Sequence, residues 1–332
     1  MASFIKGLCT EKPIFLEKDI PDLHGKVFIV TGGTGGIGLE VAKILYHANA
    51  SRIYLLGRSE EAGETANLSI TSSVPSPGVN SRTTPGNNVI RFIHLDLSDL
   101  SSVKEAAQSF LESETRLDVI WHNAAIMLAP EGSKSKQGHE LTFATNVLGP
   151  FLLQYFVTPI LVHTAKQPDA SKESVRSCWA SSGESVAPPG EDGIVWDDCG
   201  LDGPGYSGFD GRTRRYMQSK AANAILATQM ALRYPELTSC GFNPGAIKTN
   251  ITRHAPGILA SFFNLTAASP RYGALTEVYA GFGKEVAEVN GCFVVPYGHI
   301  GKPHAIVQDG IEKRNSGERL WSLCEGLVSV FY

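Results

Sequence analysis

The stretch Thr31-Gly32-Gly33-Thr34-Gly35-Gly36-Ile37-Gly38 constrains this chain more than any other. Val27-Phe28-Ile29-Val30 precedes it, an apolar and largely β-branched run suited to a strand buried on both faces. After it, Ile37, Val41, Ile44, Leu45 and Ala48 recur at helical spacing. Strand, glycine turn and helix in that order form the first half of a dinucleotide-binding βαβ unit. Glycine allows a tight turn and lets the backbone come close to a pyrophosphate. The helix start then offers unpaired N–H groups and the positive end of its dipole. Three glycine spacings overlap here: Gly33-x-Gly35-x-x-Gly38, Gly32-x-x-x-Gly36-x-Gly38 and Gly32-x-x-Gly35-x-x-Gly38. The turn alone does not choose among nucleotide-binding subtypes.

Downstream, strands and helices alternate. Strands are expected at Arg52–Gly57, Val89–His94, Asp118–His122, Ser174–Ala180 and Thr238–Phe242. Helices are expected over 59–70, Asp99–Ser113, Gly138–Val162 (bent at Pro150 or Pro159) and Thr213–Tyr234. This alternation calls for an α/β fold: a single doubly wound Rossmann-type domain, its parallel sheet flanked by helices. Right-handed crossovers would then bring every strand's carboxyl end to one edge. Arg58, Asp96, Asn123, Ser182 and Asn243 would face the crevice there.

The whole chain, 1–332, is expected to form this one domain. Residues 1–25 read as an extension wrapping the edge of the first strand, and 298–332 as a C-terminal extension. The Ser-, Pro-, Gly- and Asn-rich segment 72–88 reads as a flexible surface insertion. A hydrophobic content of 42% is ample for a core, and a net charge of −4 gives no sign of a nucleic-acid partner. Six scattered cysteines lack disulfide or metal-ligand spacing. No signal-peptide core and no run of membrane-spanning length is evident, so a cytoplasmic location and no metal are expected.

Tyr216-Met217-Gln218-Ser219-Lys220 stands on the helix after the fifth strand, with Tyr216 and Lys220 four apart on one face. It joins the glycine turn, Asn123-Ala124-Ala125, Asn146, Ser181-Ser182 and Asn243-Pro244-Gly245, in that order. From Lys26 to about Tyr297 this set resembles the short-chain dehydrogenase/reductase family. The finer resemblance is to its retinol-dehydrogenase-like branch and to reductases of fungal secondary metabolism. Trp179-Ala180-Ser181-Ser182, Arg233-Tyr234-Pro235, Asn243-Pro244-Gly245-Ala246-Ile247-Lys248-Thr249 and the late Trp321/Cys324-Glu325 helix carry it.

The resemblance implies a catalytic set of Asn146, Ser182, Tyr216 and Lys220. Ser181 is the competing serine; the family's is usually the second of the pair. Tyrosine is a weak acid, and a neighbouring ammonium together with oxidised nicotinamide would favour its phenolate. A serine hydroxyl would polarise the substrate oxygen. Asn146 would hold a water linking Lys220 to solvent, or stabilise a helix irregularity before Gly149-Pro150. The implied cofactor-binding residues are Gly32, Thr34, Gly36, Ile37, Gly38, Arg58, Asp96, Leu97, Asn123, Ala124, Tyr216, Lys220, Pro244, Gly245, Ile247 and Thr249. His122-Asn123-Ala124-Ala125 departs from the family's Asn-Asn-Ala-Gly and is shared with its epimerase-like relatives.

Sites selective for NAD place a carboxylate about 20 residues past the turn. Here Arg58 stands 20 residues past Gly38, suited to a 2′-phosphate, so NADP(H) is the expected cofactor. The 34-residue interval from Ser182 to Tyr216 holds Trp196, Tyr206 and Phe209. Residues 246–268 add Ile251, Ile258, Leu259, Phe262, Phe263 and Leu265. Apolar loops 183–212 and 246–268, expected to close as a mobile wall, suggest a bulky lipophilic or aromatic substrate, such as a polyketide-type intermediate. A nucleotide-binding scaffold or redox sensor with vestigial chemistry is the alternative. By resemblance the 138–162 helix is a possible homodimer face.

Overall fold

The computed structural model describes residues 12–77, 79, 89–170, 173–183, 188–199, 206–249 and 267–332. One eight-stranded sheet runs in the order β3-β2-β1-β4-β5-β6-β7-β8. Its strands are β1 (Val27–Thr31), β2 (Arg52–Gly57), β3 (Ile90–His94), β4 (Val119–His122), β5 (Arg176–Ala180), β6 (Thr238–Phe242), β7 (Phe293–Val295) and β8 (His299–Gly301). The first seven are parallel. β8 returns antiparallel along β7, so the expectation that every strand points the same way fails at this edge. A turn too short for a crossover forces that reversal. The order switches between β1 and β4, and the ligand crevice of such a sheet opens there.

The main helices are α1 (Gly36–His47), α2 (Glu60–Thr71), α3 (Leu100–Ser113), α4 (Gly149–Ala165), α5 (Gly208–Arg233), α6 (Pro270–Phe282), α7 (Lys284–Glu288), α8 (Ala305–Lys313) and α9 (Ser316–Val328). Two cores follow from the winding. Val41 and Ile44 of α1, Ala66 and Ile70 of α2, and Ala274 and Val278 of α6 cover the face bearing Phe28, Val30, Trp121 and Cys240. Phe110 of α3, Phe151 of α4, Ile225 of α5, Val307 of α8 and Trp321 of α9 cover the face bearing Ile29, Ile120 and Trp179. Alternate strand residues thus face opposite cores, and both sides of the sheet are apolar.

Three expectations need correction. β1 is paired on both sides, with β2 and β4, and has no edge to wrap. The described part of the N-terminal extension instead lies along α6. Ile14 N donates to Tyr297 O at 3.3 Å, Phe15 packs edge-on to Tyr279, and Glu17 pairs with Arg271. The long apolar helix starts as a single turn at Leu141–Phe143 and widens into a π turn at Ala144–Leu148 before α4 begins. Pro150 follows the π turn within this continuous helical run, where its missing N–H leaves a carbonyl of the preceding turn without its helical donor, so the irregularity lies before it. Taken together, the helical run Leu141–Ala165 is long and apolar enough to cross a membrane, contrary to the reading of the sequence, but most of it is buried inside the fold.

The C-terminal extension folds back as α8 and α9. Trp321 meets Phe151 of α4 at 5.0 Å between ring centroids, and Arg233 of α5 lies 4.6 Å from the Trp321 ring. The end of the chain thereby covers part of the helical face that the resemblance offers to a second copy. Of the insertion 72–88, residues 78 and 80–88 lie outside the described residues.

Candidate active site

The turn between β1 and α1 shows which glycines its geometry requires. Gly32 and Gly36 adopt left-handed φ values of +67° and +56°, which L side chains rarely reach. A Cβ on Gly38 would lie 2.7 Å from both Asn123 Nδ2 and the Gly32 carbonyl oxygen, whereas one on Gly35 would meet nothing within 4 Å. The working spacing is therefore Gly32-x-x-x-Gly36-x-Gly38. Asn123 explains the tight fit: its Nδ2 donates to Thr31 O at 2.9 Å. Thr31 Oγ1 in turn donates to Trp121 O and accepts from Ala124 N. These bonds tie the end of β4 to the turn.

A cleft of about 470 Å³ opens beside it. Gly32, Thr34, Gly36 and Ile37 line it from the turn, Arg58 from the end of β2, and Asp96 and Leu97 from the end of β3. Asn123 and Ala124 follow β4, Tyr216 and Lys220 rise from α5, and Pro244 and Thr249 follow β6. Three expected cofactor residues do not line the cleft. Gly38 closes the turn, Gly245 makes a left-handed bend at φ +92°, and Ile247 is buried against Gly273.

These residues fit a dinucleotide. Arg58 is exposed at the cleft rim and makes no ion pair with another described residue. Asp96 Oδ1 accepts from both Ser98 N and Ser98 Oγ, which fixes the carboxylate and leaves Oδ2 without a described partner. Glycines that admit a close backbone approach and a helix start suit the pyrophosphate of a dinucleotide.

Tyr216 and Lys220 line the other part of the cleft, and Ser182, just past β5, lies beside the Tyr216 phenol without lining the cleft itself. Ser181 does line it, but its hydroxyl donates to Lys220 O at 2.7 Å. Lys220 Nζ lies 5.7 Å from the Tyr216 ring centroid and donates to Ala180 O at 3.0 Å. Burial pushes the Tyr216 phenol up to about 12, with the Ser182 bond opposing. Burial also pulls the Lys220 ammonium down to about 8, opposed by the charge of Glu277. Desolvation is thus the larger influence on the Tyr216 phenol.

Asn146 lies within the π turn and is wholly buried. Its Oδ1 accepts from Ile126 N, and its Nδ2 donates to Ile126 O and to Ser219 Oγ. Ser219 Oγ donates to Tyr216 O at 2.7 Å. The Asn146 side chain is spent on bracing the turn of α5 that carries Tyr216, which agrees with the reading of it as a stabiliser of a helix irregularity. No described contact joins that side chain to Lys220.

Comparison with known proteins agrees with this geometry. A short chain dehydrogenase family model matches residues 26–170. A short-chain dehydrogenase/reductase of Armillaria gallica is 33% identical, with 97% of this chain and 96% of the relative covered. Another from Emericella nidulans is 34% identical, with 96% and 97% covered. The chain belongs to the short-chain dehydrogenase/reductase family. Solved structures share the fold. A Pseudomonas aeruginosa RhlG/NADP active-site complex matches with a TM-score of 0.60 at 22% identity, over 83% of this chain and 96% of the other. A 3-ketoacyl-(acyl-carrier-protein) reductase from Brucella melitensis complexed with NADH matches at 0.57 and 16% identity, over 83% and 98%.

As a short-chain dehydrogenase/reductase, the chain uses its unusual His122 structurally. His122 Nε2 pairs with Gln154 Oε1 at 2.9 Å, and the ring lies 4.2 Å from that of Trp179. Burial pulls its pKa to about 4, so the imidazole is neutral and packs in the core. The loop expected to form a mobile wall is also partly fastened. Asp192, buried, accepts from Trp196 Nε1 at 2.9 Å and from Ser316 Oγ at 2.7 Å. Arg319 of α9 lies 4.2 Å from the Trp196 ring. Trp196 is therefore held against the C-terminal helices and does not line the cleft. Loop residues 184–187, 200–205 and 250–266 lie outside the described residues, and with them Ile251, Ile258, Leu259, Phe262, Phe263 and Leu265.

The sequence reading missed Ile126, Leu141 and Thr145, which also line the cleft, and the α6 residue Glu277. Thr145 and Glu277 left a trace in the sequence, as polar side chains inside apolar helical runs. Ile126 and Leu141 left none, because an apolar residue in an α/β chain reads as core.

Proposed function

We propose that this short-chain dehydrogenase/reductase interconverts a carbonyl and an alcohol on a bulky lipophilic or aromatic small molecule, using NADP(H), with Tyr216 as general acid and base. The observation that carries the reading is the placement of Tyr216 and Lys220 together in a cleft that Arg58 also lines. Bound NADPH supplies the hydride. As the carbonyl oxygen gains negative charge, Ser182 donates a hydrogen bond to it and Tyr216 gives up its phenolic proton. A phenol raised to about 12 is fully protonated at neutral pH and ready for the reductive direction. The Lys220 ammonium, largely charged at neutral pH, stabilises the phenolate as it forms. Asn146 positions Tyr216 through Ser219. Ile126, Ala129, Pro130 and Leu141 give the cleft an apolar wall suited to a lipophilic or aromatic ring system, a polyketide-type intermediate among them.

Tyr216→Phe tests this directly. Turnover with polycyclic ketones and quinones should fall about 100-fold or more, the usual contribution of a positioned acid. NADPH affinity measured by fluorescence should stay close to wild type. Near-wild-type turnover would place the proton donor elsewhere.

A further inference from the structure

Glu277 is wholly buried in the middle of α6, and neither carboxyl oxygen has a hydrogen-bond partner among the described residues. An unpaired buried acid is costly, and such violations of packing logic concentrate at functional sites. Its surroundings locate it. Four residues before it, Gly273 packs on Ile37 and Ile247 beside the crevice. Four residues after it, Gly281 packs on Trp121, and Ala280 O accepts from Arg176 at the start of β5. The Glu277 carbonyl itself accepts from Trp121 Nε1 at 2.8 Å. Glu277 thus lies under the sheet, near the carboxyl ends of β4 and β5. At the end of β5, Ala180 O holds both Lys220 Nζ, at 3.0 Å, and Asn223 Nδ2, at 2.9 Å. Lys220 arrives from α5 on one face of the sheet, and Glu277 from α6 on the other.

We propose that Glu277 is a positioning residue for catalysis, its carboxyl acting from the far face of the sheet to keep Lys220 charged beside Tyr216. The proposal rests on the reading of Lys220 as the partner of Tyr216. Other charged or titratable groups pack on α6, but they have different business. Arg271 pairs with Glu17 and Glu40, Arg176 caps Ala280 and Gly283, and Glu285 bonds Tyr279. The thiols of Cys178 and Cys240 face each other from β5 and β6, with Cys292 next to them. Lys220 is the group whose charge acts on Glu277, and burial raises the carboxyl while that ammonium lowers it. The reciprocal effect supports the ammonium against its own desolvation. With the carboxyl ionised, its charge makes the lysine proton harder to remove.

The test is Glu277→Gln, which keeps the shape and removes the charge. Two quantities are read: the pH profile of kcat for carbonyl reduction at saturating NADPH, and the titration of Lys220 by NMR of ε-13C-lysine, assigned with Lys220→Met. In Glu277→Gln the basic limb of the rate and the Lys220 titration should both move to lower pH by about one unit or more, as expected for buried coupled charges. Rates at the acidic end should stay close to wild type. Glu277→Asp, which restores the carboxyl, should return both part of the way. A uniform rate loss with no shift would mean a packing role and overturn the proposal. An unmoved Lys220 titration would overturn it too, leaving the proposed function standing. A titration that moves while the rate profile stays would instead refute Lys220 as the partner of Tyr216, and the proposed function with it.

Discussion

On the proposed NADP(H) reading, replacing Arg58 with alanine should leave a cleft that hardly distinguishes the two nicotinamides. Arg58 follows β2 at the rim, exposed and without an ion-pair partner among the described residues. Its removal therefore strands no buried carboxylate, and the loss reports on the ligand alone. A charge-assisted hydrogen bond contributes about 1.5–3 kcal/mol, and exposure to solvent puts this one at the lower end. At about 1.4 kcal/mol per tenfold, NADPH should bind roughly tenfold more weakly. NADH has no 2′-phosphate and should change by less than about twofold on the same arithmetic. Quenching of protein fluorescence, titrated with each cofactor, gives both constants. Raising the salt concentration should narrow the gap between wild type and variant for NADPH, because an exposed pair is screened. Equal losses for the two cofactors would remove Arg58 from the phosphate site.

Asp192→Ala should destabilise the protein by about 2–4 kcal/mol, because the Trp196 indole and the Ser316 hydroxyl lose their acceptor in a buried setting. Urea unfolding would measure it, and a loss under about 0.5 kcal/mol would mean that the loop is not anchored there. His122 makes stability depend on pH. Its folded pKa is depressed from 6.5 to about 4, so its contribution is complete above 6.5 and declines as pH falls toward 4. Melting temperature should drop across that window in wild type and drop less in His122→Asn; parallel curves would refute the assignment.

Local sequence determined the first layer of this protein. Val27–Val30 is a short, continuous and largely β-branched apolar run suited to a strand buried on both faces, and the glycines after it admit the turn that follows. Strands β1 to β6 and most of the helices expected along the chain keep their places to within a few residues, the start of the long apolar helix, broken by its π turn, being the exception. Tyr216 and Lys220 share a face because a helix repeats every 3.6 residues. Where spacing settles the outcome, no distant contact is needed.

Distant contacts decided the rest. Three glycine spacings fit the turn on paper, all ending at Gly38, and the folded chain chooses among them: Gly36 takes a left-handed φ of +56° with Thr249 packed against it, while Gly35 has open space. Ser181 and Ser182 are chemically identical, and the fold alone gives the Ser181 hydroxyl to the Lys220 carbonyl. Strands β7 and β8, three residues each, are too short to show a period and exist because β6 offers an unpaired edge. Trp196 reads as a substrate-loop aromatic until Asp192 and Arg319 draw it to the C-terminal helices. Glu277 is the extreme case. α6 brings its carboxyl to rest, buried and without a described hydrogen-bond partner, on the face of the sheet opposite α5 and Lys220, and such burial is a property of the folded chain alone.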